Sequence, residues 1–323
     1  MNVFVTGGAG YIGSVCVEEL LNAGHAVTVF DNLSEGHRSA VDVRARFILG
    51  DLADRDLVAR SLTGAGAEAV IHFAAHALVG ESMQNPGKYF RNNVANGLNL
   101  LDAAVVARVR KFVFSSTCAT YGVPEKMPMD ESLSQRPVNP YGESKLMFEK
   151  MLQWYQQLHG LEFVAFRYFN AAGASHKFGE HHRIETHLIP NVLKVALGQK
   201  EECEIFGTDY PTPDGTCIRD YIHIADLAQA HILALAPTKA GFFNLGNGAG
   251  YSVREVIQTC ERISGRPIRA VEKLRRPGDP PRLVAAADRA IGELGWRPAF
   301  AKLDDIVASA WDWHRRHPNG YRG

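Results

Sequence analysis

Tyr141 and Lys145 are the pair best suited in this chain to move a proton. They stand four residues apart in Tyr141-Gly142-Glu143-Ser144-Lys145, directly after Asn139-Pro140, and a proline at the first helical position predicts that both project from one face of a helix. A free phenol titrates near 10 and is a poor base at neutral pH, but a neighbouring positive charge favours its phenolate. In isolation such a pair is more simply a structural tyrosine and a surface lysine. What precedes it in the chain changes that. Thr6-Gly7-Gly8-Ala9-Gly10-Tyr11-Ile12-Gly13 follows an apolar strand-like run and opens a helical pattern. Gly7 and Gly10 permit a tight turn whose backbone N–H groups approach a pyrophosphate, Gly13 allows close helix–strand packing, and the helix N-terminus favours negative charge. Asp31 ends the second run, placed to accept hydrogen bonds from adenosine ribose hydroxyls and to repel a 2′-phosphate. The order of strand, glycines, helix, strand and acid therefore points to NAD rather than NADP.

These residues need a sheet edge to hold them. Val3–Val5, Ala26–Phe30, Arg46–Leu49, Ala69–Phe73, Lys111–Phe114 and Glu162–Arg167 are short β-branched or aromatic runs, separated by helical patterns at Ile12–Ala23, Asp54–Leu62, Tyr89–Val106 and Tyr141–Leu158. That rhythm predicts an α/β fold, a doubly wound parallel sheet of Rossmann type with helices on both faces. After about Asn170 it decays into Pro-, Gly- and His-rich segments, predicting a smaller C-terminal α/β substrate domain. We expect a dinucleotide-binding domain over 1–170 and a substrate domain over 171–323, with segments crossing back to the first. Ligands in such sheets bind outside the carboxyl ends of the strands. There lie Gly50-Asp51-Leu52, whose acid is placed to reach the adenine, and Phe73-Ala74-Ala75, small enough for a cofactor to lie against the edge. Ser115-Ser116-Thr117 ends the fifth run; Thr117 is placed to bond a substrate alkoxide or relay its proton, while Ser115 and Ser116 also read as caps of nearby turns.

The segments TGGAGYIGS, FDNLS, GDL, FAA, FSSTCATYG, NPYGESK, RYFNAAGA, DYPTPDGTCIRDYIHIADL, NLGNG and RRPGD follow one another along nearly the whole chain. In this it resembles the bacterial UDP-glucose 4-epimerases, a family of extended short-chain dehydrogenases/reductases. The resemblance implies that nicotinamide takes a hydride from C4 of a UDP-sugar while Tyr141 removes the O4 proton, and that the same hydride returns to the other face of the ketone. Thr117 would guide the proton, and Lys145 would tune Tyr141 and bind the nicotinamide ribose. It also implies cofactor contacts from Tyr11, Ile12, Asn32, Asp51, Leu52, Phe73, Ala74, Asn92, Ser115 and Tyr168. The nucleotide-sugar contacts would be Asn170, His187, Leu188, Arg219 and Arg276, with Asp279 near a ribose hydroxyl and Phe206 lining the uracil region. Two arginines suit a diphosphate through bidentate hydrogen bonds, although either could be an ordinary salt-bridge partner. Leu283, four positions after Asp279, would limit space beside the sugar's 2-substituent, or else be a core residue. One departure is visible: where many relatives carry a lysine near the nicotinamide pyrophosphate, this chain has Phe73-Ala74-Ala75-His76-Ala77.

Bulk composition excludes other partners. Thirty-five basic residues balance thirty-five acidic ones, so no global field draws nucleic acid or an anionic membrane. No apolar run approaches a bilayer's width, and five scattered cysteines suit a reducing compartment, so we expect a cytoplasmic protein. The resemblance adds a homodimer through the helices near Tyr89–Val106 and Tyr141–Leu158. His176, His181, His182 and His187 are not read as a metal site, because no cysteine or carboxylate pattern completes one and Glu180 and Glu185 fit a solvated loop. Cys118 has nothing beside it to lower its pKa and reads as a packing residue. A dehydratase on this scaffold would need an Asp-Glu pair after the threonine, where Cys118-Ala119 stands. A non-catalytic sensor would lose the Tyr/Lys pair. Epimerases of other UDP-sugars (UDP-N-acetylglucosamine, UDP-glucuronate, UDP-xylose) stay open.

Overall fold

The runs expected as strands enter one sheet. The computed structural model describes residues 1–237, 240–276 and 278–321; Pro277 of the RRPGD motif lies outside the described residues. The strands are β1 (Asn2–Thr6), β2 (Ala26–Asp31), β3 (Arg46–Leu49), β4 (Ala69–His72), β5 (Lys111–Thr117), β6 (Glu162–Tyr168), β7 (Asn170–Ala172), β8 (Cys203–Phe206), β9 (Ile218–Arg219), β10 (Tyr221–His223), β11 (Gly241–Leu245), β12 (Tyr251–Ser252), β13 (Ala270–Lys273) and β14 (Arg282–Leu283). The helices are α1 (Tyr11–Asn22), α2 (Arg55–Gly64), α3 (Val79–Gln84), α4 (Pro86–Tyr89), α5 (Gly97–Val106), α6 (Pro140–His159), α7 (Leu188–Ala196), α8 (Ile224–Leu233), α9 (Val253–Ser264), α10 (Asp288–Glu293) and α11 (Leu303–Arg316).

Seven strands form a parallel sheet in the order β11-β6-β5-β4-β1-β2-β3. Strands such as β4 and β5 are buried along their whole length, as a sheet covered on both faces requires. One face packs Val5, Val15, Val113 and Phe166 against Leu227 of α8, the other Phe4, Leu62, Phe112 and Phe148. A third cluster, from Ile189, Val256 and Ile306, joins α7, α9 and α11. The sheet's edge strand β11 comes from the second half and pairs with β6. β1 lies between β2 and β4, so the order reverses beside it, and the crevice outside its carboxyl end is where ligands bind in open α/β sheets.

The single helix expected over Tyr89–Val106 is instead three pieces: the end of α4, a π-helical stretch over Phe90–Asn96, and α5. The wider stretch carries Asn93, whose buried side chain bonds His76 N at 2.9 Å, His76 O at 3.0 Å and Ser144 Oγ at 3.0 Å. These bonds to a loop and to α6 are the physical reason for the break, since π turns accommodate an extra residue that a regular 3.6-residue repeat does not.

Candidate active site

The first turn of α6 sets the Tyr/Lys pair. Asn139 caps it by accepting from Gly142 N at 2.8 Å, and Pro140 occupies the first turn, where its missing N–H has no intrahelical acceptor to lose. Lys145, buried, donates from Nζ to Ser115 O at 2.7 Å and lies 6.0 Å from the Tyr141 ring centroid. Thr117 lies close enough to Tyr141 to favour its phenolate, and Tyr168 donates its hydroxyl to Ser115 Oγ. Ser115, Thr117, Tyr141, Lys145 and Tyr168 are thus brought together where β5 and β6 end. Neither serine caps a turn, contrary to that expectation: β5 continues through Thr117, so Ser115 and Ser116 are strand residues, and Ser116 Oγ donates to Glu149 Oε1 at 2.5 Å. Thr117 does cap, accepting from Ala119 N at 3.2 Å.

Burial pushes the Tyr141 phenol up to about 12, against a lowering from Thr117. It pulls the Lys145 amine down to about 7, with Glu149 opposing. The same cause keeps His72 neutral beside Lys145, near 3, with its Nδ1 2.7 Å from Thr6 Oγ1. A phenol at about 12 is not a base at neutral pH, so further positive charge must enter the site before Tyr141 accepts a proton. Burial raises the Cys118 thiol to about 12 as well, which leaves it inert.

The glycine turn lies at the same sheet edge. Gly7 has φ +73°, and a Cβ there would come within 2.5 Å of Ala74 N; one on Gly13 would collide with the Gly7 carbonyl. Gly10 differs: it begins α1 with no side-chain cap, and an added Cβ would meet only Gly7 O, at 3.4 Å. The first N–H groups of α1 are therefore left for an anion, in a space that a side chain at residue 10 would fill. Asp31, buried, accepts from Ala9 N at 2.9 Å and Leu33 N at 2.8 Å, one bond to each carboxylate oxygen, so each oxygen keeps a lone pair. Desolvation raises its pKa and those two bonds lower it. Asn32 donates to Asp51 at 2.7 Å, Leu52 is buried, Phe73 packs on His231, and Tyr11 donates to Gly173 O at 2.6 Å. Ile12 packs on the core, and Asn92 donates to Asn93 at 3.0 Å inside the π stretch. His76 lies 3.6 Å from Glu35, and burial lowers its pKa. These residues fit a dinucleotide with an unmodified ribose. Asp31→Ala should raise the affinity for NADP relative to NAD by roughly 10-fold, about 1.4 kcal/mol, in titrations of cofactor-stripped protein; an unchanged ratio would remove Asp31 from cofactor choice.

The second half supplies a further set. Asn170 bonds Asp220 O at 2.9 Å, and Leu188 begins α7. Leu283 is the register partner of Arg219 and packs on a cluster of Tyr121, Met129, Phe169 and Ala285 with Cys118 beside it. Arg219 pairs with Asp279, the salt-bridge reading the sequence left open. Arg276 lies 3.9 Å above the Phe206 ring, so that face is covered by a guanidinium. The expectation of a solvated loop at Glu180 and Glu185 is overturned. Glu180 is buried, and the chain brings it together with His182, Glu185 and His187, whereas His181 stacks on His37. Burial opposes charge on His187, but Glu180 and Glu185 outweigh it and raise its pKa to about 10.

The chain's residues 3–246 match the model of the NAD dependent epimerase/dehydratase family. The chain belongs to that family. Among relatives of this epimerase/dehydratase, the UDP-glucose 4-epimerase of Halalkalibacterium halodurans is 50% identical, covering 99% of this chain and 98% of that protein. The structure of UDP-glucose 4-epimerase from Brucella ovis in complex with NAD superposes with a TM-score of 0.94 at 46% identity, over 97% of this chain and 98% of that one. The one from Bifidobacterium longum in complex with NAD+ and UDP superposes at 0.95 with 39% identity, over 99% of this chain and 100% of that one.

Three residues of the epimerase/dehydratase site escaped the sequence reading. Asn93 ties the π stretch to α6, and Glu149 and Arg167 form a buried ion pair with N–O distances of 2.7 and 2.9 Å; Arg167 opens the RYFNAAGA segment, but nothing local marks its partner, and Asn93 and Glu149 lie in no motif. Glu149 was nonetheless findable in principle, since a charge four residues beyond Lys145 shares its helix face.

Proposed function

We propose that this chain interconverts UDP-glucose and UDP-galactose by inverting the sugar's C4 hydroxyl, with NAD retained through the cycle. The observation that carries this is the Tyr141–Thr117–Lys145 group, with Thr117 and Lys145 buried, at the same sheet edge as the open Gly10 turn. Bound NAD supplies the hydride acceptor and donor for C4. Its pyrophosphate would rest on the α1 N-terminus and its adenosine ribose on Asp31; Lys145, whose amine now donates to Ser115 O, would reach the nicotinamide ribose. Tyr141 takes the O4 proton as C4 becomes a ketone and returns it when C4 is reduced on the other face. Thr117, beside Tyr141, holds the O4 position. The positive charge that the nicotinamide would bring lowers the phenol from about 12 toward the working range. Asn170, His187, Leu188, Phe206, Arg219, Arg276 and Asp279 would hold UDP, with a phosphate or ribose oxygen competing for the Arg219–Asp279 pair. Residues 1–170 would form the cofactor unit and 171–323 the sugar unit, with β11 crossing back. The test is to incubate purified protein with UDP-galactose and resolve the nucleotide sugars. UDP-glucose should form without stoichiometric absorbance at 340 nm; a rise in proportion to substrate consumed would mark a net oxidoreductase instead.

Leu283 supports activity on larger sugars as well. Because it is smaller than tyrosine, UDP-N-acetylgalactosamine should turn over weakly beside UDP-galactose. Leu283→Tyr should abolish that activity and spare the other, since overlap penalises only the larger substrate. Equal damage to both would show that Leu283 serves the Tyr121 and Met129 cluster alone. The exposed Leu98 and Val106 on α5, with Met147, Trp154 and Leu158 on α6, support a homodimer through these helices. Sedimentation should return twice the chain mass. Free cysteines, and the absence among the described residues of a helix long and apolar enough to cross a membrane, support a cytoplasmic site.

A further inference from the structure

Glu180, His182, Glu185 and His187 occupy the segment that enters α7, and one ligand atom of each lies within 4.8 Å of all the others. Glu180 Oε1 is 3.2 Å from His182 Nε2 and 2.8 Å from His187 Nδ1; Glu185 Oε1 is 2.9 Å from the same Nδ1. Glu180 is only 5% exposed, yet its Oε1, like His182 Nε2, is buried and makes no hydrogen bond of sound geometry. A buried carboxylate oxygen aimed at two imidazole nitrogens without a hydrogen bond is costly unless something else takes its lone pairs. A single Nδ1–H on His187 cannot satisfy two carboxylates fully.

We propose that Glu180, His182, Glu185 and His187 bind one divalent cation of the zinc class. Two imidazole nitrogens and two carboxylate oxygens are a donor set for a borderline metal. Three of the six donor separations, 2.8–3.2 Å, come close to the edge of roughly 3.3 Å that a tetrahedron with bonds of about 2.0 Å has, and all six are within 4.8 Å. The ion acts as a clip. The Tyr11 ring meets His182 edge-on, with centroids 6.0 Å apart, and donates its hydroxyl to Gly173 O, so the site joins the start of α1 to the entry of α7. Metal at Nδ1 of His187 leaves Nε2 free for another partner, and no hydride or proton step passes through the ion.

The intact protein is treated with chelator, reloaded with zinc, desalted and assayed for bound zinc, and its affinity is measured by competition with a chromophoric chelator. One equivalent per chain is expected, and zinc should raise the unfolding temperature. Glu180→Gln and His182→Ala should each weaken binding by at least about 10-fold and abolish that rise, whereas His181→Ala, outside the donor set, should bind as wild type. If Glu180→Gln does not fold, the half-exposed His182→Ala carries the test. Substoichiometric zinc, variants that bind as wild type, or zinc lost with His181→Ala would each overturn the site and leave the cluster an ion-pair network.

Discussion

Tyr141→Phe is expected to lower epimerase turnover by roughly 100-fold or more while fold and cofactor content stay unchanged, because general acid–base groups contribute about 10²–10⁴. Phenylalanine keeps the ring that meets Tyr89 edge-on at 6.5 Å and that Lys145 approaches. It removes only the hydroxyl that Thr117 acts on, and that hydroxyl is the group assigned the proton. Bound dinucleotide, read by absorbance after denaturation, should match wild type. Turnover within a few-fold of wild type would mean that another group takes the O4 proton. Lys145→Met should act in the same direction and also loosen the cofactor, since it deletes the amine expected on the nicotinamide ribose.

Glu149→Ala should cost stability rather than chemistry alone. Glu149 is 1% and Arg167 3% exposed, and Glu149 also accepts from Ser116 and from Gln135 at 2.8 Å. Removing one member of such a pair leaves a buried guanidinium whose remaining bond is to Tyr121 OH at 2.9 Å. The cost should be about 3–5 kcal/mol, lowering the midpoint of thermal unfolding by roughly 5–15 °C. Replacing both partners with apolar residues of similar volume, Glu149→Leu with Arg167→Met, should recover most of that loss, because no charge is then stranded. If the single variant melts within about a degree of wild type, water reaches the pair. Glu149 is one turn beyond Lys145 on α6 while Arg167 lies on β6, so the pair fixes the helix against the strand, and turnover should fall even where the variant is folded.

Whatever short-range chemistry dictates was readable from residue types. The Gly7 turn needs a positive φ and the Gly13 position excludes a Cβ, so glycines mark them in any context. Asn139-Pro140 starts α6 because a cap and a proline in the first turn have few alternatives. Pairings made at a distance left no such mark. Arg219 finds Asp279 sixty residues away, and Glu149 finds Arg167 across two elements. The π stretch was invisible because Phe90, Val94 and Leu101 satisfy a helical pattern whether or not one residue is extra. Glu180 and Glu185 looked solvated because a sequence does not show that His182 and His187 fold back onto them.

The place of β11 bears on how the chain is made. β6 is complete at Tyr168, but its outer neighbour, Gly241–Leu245, follows more than seventy residues later. At about 5–20 residues per second of synthesis, the outer edge of β6 waits several seconds on the ribosome with its backbone donors and acceptors bare, a state that invites pairing with another nascent chain. Asn244 then locks the arrival, accepting from Tyr121 OH at 2.8 Å and donating to Met129 O at 2.9 Å. Fragments released before residue 245 should therefore be the aggregating species in expression of this protein, and chains carried past it should not.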